Sequence, residues 1–103
     1  MPSLWNRVLS LGLFACLATA QAAVTQDEIV IGQVAPLTGT IAGTGTEYVA
    51  GGAAYFAYVN DNGGIHSRKI RVVVKDDSYK PDQTLALTRQ LLAEDKPLAL
   101  FGF

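Results

Sequence analysis

Glu28-Ile-Val-Ile-Gly-Gln-Val-Ala-Pro36 is the stretch that decides the fold. Three β-branched residues in a row, a fourth at Val34 and a closing proline fit a strand covered on both faces, as the strands of parallel sheets are. Two later runs repeat the theme: Lys69-Ile-Arg-Val-Val-Val-Lys75, and Leu98-Ala-Leu-Phe-Gly-Phe103, which begins as a strand. Each gap between these runs carries a helical pattern. In the first gap Thr44-Gly-Thr-Glu47 fits a capping box, which predicts a helix starting at Thr44. Val49, Gly52, Ala53, Phe56 and Ala57 share one face of it, and Gly63-Gly64 stops it. In the second gap Pro81 suits a first helical turn. That helix is predicted to continue to Asp95 with Thr84, Leu87, Thr88 and Leu91 along one stripe, and Lys96-Pro97 ends it. Strand, helix, strand, helix, strand predicts an α/β fold, a parallel βαβαβ sheet with right-handed crossovers and strand order 2-1-3.

The residues ahead of this unit read as an address. Arg7 supplies a positive charge, Val8 to Ala20 is an apolar run shorter than the roughly 20 residues of a membrane span, and Ala20-Gln21-Ala22 is a small-residue cleavage pattern. Residues 1–22 are therefore expected to be a cleaved secretory signal peptide, and residues 23–103 the N-terminal, incomplete part of a ligand-binding domain. A second reading takes Ala15-Cys16 as a lipoprotein acylation site, although Phe14 suits it poorly and the residues after Cys16 stay apolar. Cys16 is the one cysteine of the chain. Without it no disulfide or thiol chemistry is available.

Composition narrows the function. Eight Lys and Arg against nine Asp and Glu, without runs, give a net charge of −1 and no footing for nucleic acid. Half the residues are hydrophobic, which excludes a disordered chain. A unit of about 80 residues buries only about 60% of its unfolded surface, and nothing in Leu98 to Phe103 blunts an exposed sheet edge with charge or proline. The chain thus reads as the front part of a larger protein.

In open parallel sheets ligands sit beyond the carboxyl ends of the strands, where strand order reverses. The loops Leu37 to Gly45 and Asp76 to Lys80 lie there. The glycines of the first loop lack a Walker lysine, and Tyr48 stands where G-x-G-x-x-G needs its third glycine, so a nucleotide site is disfavoured. The helix behind the loop still offers free amides to an anionic group, with a ligand-free turn as the plainer alternative. Asp76-Asp77 are neighbours on a strand and face opposite ways, which suits acidic strand termination better than a metal pair. His66 reads as a solvated turn residue. Tyr79 and Phe103 fall at the ligand end and can pack against a small molecule, or serve as lid or core. One histidine and one cysteine assemble no catalytic set, and no metal or cofactor is expected.

Ile29-Val-Ile-Gly-Gln-Val-Ala-Pro-Leu-Thr-Gly39, Tyr58-Val-Asn-Asp-Asn-Gly-Gly-Ile-His-Ser-Arg-Lys-Ile70, Val74-Lys-Asp-Asp77 with Pro81, and Leu98 to Phe103 follow one another as in a known family. Together they resemble the periplasmic substrate-binding proteins of branched-chain amino-acid type ABC transporters. The resemblance implies the type I periplasmic binding fold, in which two lobes close on a ligand that is handed to a membrane permease. The present chain would be the first part of the N-terminal lobe. It implies a periplasmic, non-enzymatic receptor for an amino acid or related small polar ligand, touching the membrane only through the permease. The loop after the first strand, with Thr38 and Thr44, would contact the ligand; some members place a tryptophan at the position of Thr44. The segment that grips the α-amino and α-carboxylate groups would begin just after Phe103. Tyr79 stands where some members have a disulfide cysteine, and Ser67 replaces a usual glycine, which argues against strict leucine, isoleucine or valine specificity. A sensor ectodomain of the same fold and a nucleotide-dependent Rossmann-like enzyme half are the competing readings.

Overall fold

The computed structural model describes residues 23–102. Its strands are β1 (Glu28–Ala35), β2 (Lys69–Asp76) and β3 (Ala99–Leu100), all parallel, in the order β2-β1-β3. β1 pairs with β2 along its whole length, from Glu28 opposite Lys69 to Ala35 opposite Asp76. On its other side it meets β3 only at Ile31–Ala99 and Gly32–Leu100, a contact extended by Leu98 N–H to Val30 O and Phe101 N–H to Gly32 O, both 2.8 Å. The central position explains the nearly unbroken apolar run, since Val30, Val34 and Ala35 are all buried.

The helices are α1 (Ala42–Asp61) and α2 (Pro81–Gln90). α1 begins two residues before the predicted Thr44, with Ile41 at its N-cap and no side-chain cap. Tertiary contact overrides the capping box here. Gly39 takes a left-handed backbone (φ 87°), which lets Ala42 N–H reach Gly39 O at 3.2 Å. Gly45 is pressed against the carbonyl of Pro36, in a space that admits no Cβ, and that contact sets Gly45 inside the helix and Thr44 in its first turn. The inner face is also rotated from the predicted one: Gly45, Val49, Gly52 and Phe56 face inward, whereas Ala53 and Ala57 are exposed. Phe101 explains the rotation, because it seats on Gly52 and edge-on against Phe56, with ring centroids 5.3 Å apart.

α1 ends as the glycine pair predicts, with Gly63 and Gly64 left-handed and Gly64 N–H closing on Val59 O at 2.9 Å. His66 and Ser67 then both take left-handed backbones between Ile65 and Arg68, which exchange hydrogen bonds of 2.7 and 2.9 Å. Two consecutive positive φ angles are the geometry of a two-residue type I′ hairpin turn.

Pro81 opens α2 as expected, and Thr84, Leu87 and Thr88 are half-buried. The single helix predicted to Asp95 instead changes pitch: Leu91–Asp95 form a π-helical turn. Leu91, fully buried, lies on the backbone of Gly32 in β1. Lys96 closes the turn with a left-handed backbone, just ahead of Pro97. Gln33, next to Gly32, is buried beside Gly102, which in turn lies against Tyr48 of α1. Adjacent β1 residues thus address the two helices on opposite faces of the sheet.

Candidate ligand-binding site

The carboxyl ends of β1 and β2 release their loops side by side, and one carboxylate joins them. Asp76 Oδ1 accepts the N–H groups of Leu37 (2.9 Å), Thr38 (3.3 Å) and Ser78 (2.9 Å), while Oδ2 accepts the Thr38 hydroxyl at 2.7 Å. The Thr38 hydroxyl and these amides hold the Asp76 carboxyl below its ordinary pKa of 3.8, against a smaller opposing effect of desolvation. Thr38 Oγ1 also lies 2.6 Å from Ser78 Oγ. An ionised carboxylate only accepts, so Thr38 spends its proton on Asp76 and Ser78 donates to Thr38. Thr38 therefore meets a ligand only as an acceptor.

Asp77 points the other way, as adjacent strand residues do. It is buried, accepting the Tyr79 N–H at 3.0 Å on Oδ1 and the Thr84 hydroxyl on Oδ2. The two aspartates thus make successive turns onto Ser78 and Tyr79, whose backbones are both left-handed (φ 51° and 59°). The reading of the pair as simple strand termination missed this bracing. The available signal was an Asp two residues ahead of each turn residue. Among the described residues, no group of three or more His, Cys, Asp or Glu is placed to hold a metal.

Tyr79, largely exposed, lines a hollow of about 670 Å³ together with Pro36, Asp77, Pro81, Thr84, Leu85 and Thr88. That hollow lies on the α2 side. Thr44, exposed in the first turn of α1, belongs to the α1 side. Among the described residues, Thr38 is the expected contact residue bonded across the junction of the two loops. At the β3 end, where strand order reverses, Tyr48 stacks on Phe101 with centroids 6.0 Å apart. Phe103, and the expected signal peptide with Cys16, lie outside the described residues.

The parallel sheet reverses order at β1 and its loops are braced at the carboxyl end, and a periplasmic binding protein family model matches residues 28–103. The chain belongs to that family. Among its relatives, an amino acid binding protein of Pseudomonas aeruginosa is 36% identical over 73% of the chain and 20% of its own length. The branched-chain amino acid transporter substrate binding protein LivJ of Streptococcus pneumoniae, solved in complex with isoleucine, superposes with a TM-score of 0.71 at 28% identity, over 75% of the chain and 22% of that structure. A fatty acid ABC transporter substrate-binding protein of Thermomonospora curvata superposes with a TM-score of 0.65 at 32% identity, covering 67% and 18%. The fold is that of the type I periplasmic binding proteins, and the chain spans about a fifth of the length of these relatives. Within this periplasmic binding protein, Asp76, Thr38 and Ser78 are the groups that join the loop after the first strand to the turn after the second.

Proposed function

We propose that this periplasmic binding protein is an extracytoplasmic solute receptor that captures an amino acid or a similar small polar molecule between two lobes and delivers it to the permease of an ABC importer. It works without catalysis and without a cofactor, is exported by residues 1–22, and meets the membrane only through the permease. The carrying observation is the braced junction of the β1–α1 loop and the β2–α2 turn at the carboxyl end of the sheet, in a chain whose relatives include amino acid receptors. Thr38, Thr44, Tyr79 and Phe103 are the proposed ligand contacts from this part of the receptor.

The ligand class is kept wider than leucine, isoleucine and valine. Tyr79 and Ser67 depart from the branched-chain pattern, and structural relatives include one solved in complex with isoleucine and one named for fatty acids. The test is thermal unfolding of the full-length protein against a panel of amino acids, their amides, small carboxylates and fatty acids, followed by calorimetry on each compound that raises the midpoint. An amino acid or small polar compound that stabilises saturably is the expected result, since a ligand that binds only the folded state raises its stability by mass action. Stabilisation by fatty acids alone, or by nothing in the panel, overturns the proposal. Thr44→Trp is expected to narrow the set of ligands bound; an unchanged affinity profile removes Thr44 from the site.

A further inference from the structure

Asp76 does more than end a strand. Its carboxylate receives hydrogen bonds from both loops at the proposed ligand end: Leu37 and Thr38 on the way to α1, and Ser78 on the way to α2. The loops also touch directly, since Gly39 is so close to the Ser78 carbonyl that a Cβ there would stand 3.2 Å from it. The turn after β2 does not rest in a relaxed backbone. Ser78 and Tyr79 are both left-handed, a conformation that disfavours residues with a Cβ and persists only where surroundings hold it. The eight-residue β1–β2 ladder, by contrast, does not depend on this carboxylate.

We infer that Asp76 is a positioning residue of the ligand cleft, locking the β1–α1 loop and the β2–α2 turn into a single preformed wall and thereby fixing the first turn of α1, which carries Thr44. The inference rests on the reading of this end of the sheet as the ligand site. Removing the carboxylate leaves the amides of Leu37, Thr38 and Ser78 without their acceptor while the sheet keeps its ladder, so both loops loosen locally. A ligand then has to order them itself, and its affinity falls by that cost.

Amide hydrogen exchange on the full-length protein tests the lock directly. In Asp76→Ala, exchange at Leu37, Thr38 and Ser78 is expected to quicken by about tenfold or more, the equivalent of one net hydrogen bond, with Val30–Val34 and Val72–Val74 unchanged. Asp76→Asn keeps an oxygen for the three amides but its NH₂ group no longer accepts from Thr38, so it is expected to restore their protection only in part. Calorimetry with the ligand found by the panel is run where circular dichroism shows each variant folded. Affinity is expected to fall in the order wild type, Asp76→Asn, Asp76→Ala. Thr38→Val, which removes only the hydroxyl, takes the place of Asp76→Ala if that variant does not fold, and is expected to quicken exchange at Thr38 and Ser78. Unchanged exchange in the variants overturns the lock whatever the ligand. Free exchange with wild-type affinity overturns its bearing on the cleft. If the wild-type protein binds nothing in the panel, the proposed function falls, and the exchange result still decides whether Asp76 locks the loops.

Discussion

The side chain of Asn60 and the backbone of Ile70 bond to each other in both directions, Nδ2 donating to Ile70 O at 2.9 Å and Oδ1 accepting from Ile70 N–H at 2.7 Å. The pair ties the last turn of α1 to the start of β2, and both bonds are partly shielded from water. Asn60→Ala strands two backbone groups and is expected to cost about 1–3 kcal/mol, measured by chemical denaturation. Asn60→Asp retains only the acceptor and should fall between alanine and wild type. A wild-type midpoint for Asn60→Ala would mean that water replaces the amide fully.

Glycines in α1 are not equivalent. Gly45→Ala drives a methyl group into the Pro36 carbonyl, and overpacking of that kind costs about 1–3 kcal/mol. Gly51, exposed in the same helix with open space where a Cβ would go, should behave oppositely. Gly51→Ala is expected to raise stability by about 0.5–1 kcal/mol through helix propensity. Thermal melts of the two variants should move in opposite directions.

Ser67 carries a positive φ of 65° in the turn between Ile65 and Arg68. Glycine adopts that backbone without a Cβ penalty of about 1–2 kcal/mol, an advantage partly offset by its larger freedom in the unfolded chain. Ser67→Gly is therefore expected to stabilise by about 0.5–1 kcal/mol, read from the denaturation midpoint. No change would mean that the serine is not strained in this turn.

The Asp76 carboxyl is held below its ordinary value of 3.8, chiefly by the Thr38 hydroxyl and the Ser78 amide. A carboxyl whose folded pKa is depressed contributes its stabilisation fully above the unfolded pKa and loses it as pH falls through the folded one. Loop protection at Leu37 and Ser78 is thus expected to be flat above about pH 5 and to decline only below the ordinary carboxylate value near 3.9. Asp76→Asn should abolish that acid-side decline. Exchange measured from pH 3 to pH 6, corrected for intrinsic rate, checks it.

Features set by a residue's own geometry were legible in the sequence. Pro81 opens a helix, Gly63 and Gly64 close one, and the apolar run from Ile29 marks the strand that others flank, which was enough for the order β2-β1-β3. Features set by contacts between distant segments were not. The capping pattern at Thr44 is sound locally, yet Gly45 against Pro36 moves the helix start. The inner face of α1 follows where Phe101 arrives, which no spacing within the helix encodes. The same holds for the site. Tyr79 and Thr38 fall at the expected end of the sheet, but the bonds that organise it join residues nearly forty positions apart. Periodicity cannot report these.

The pairing of β1 has a kinetic side. Ile31 must find Val72 on one flank and Ala99 on the other, and closing the longer of these loops costs only about 0.4 kcal/mol more. Chain length therefore separates the two events little, but the β1–α1–β2 unit adds the Asn60–Ile70 bonds to eight paired residues and joins the segments nearer in sequence. Folding is expected to pass first through that unit. The seam between the first and third strands, where ligands bind in such sheets, is then laid down on a framework already in place.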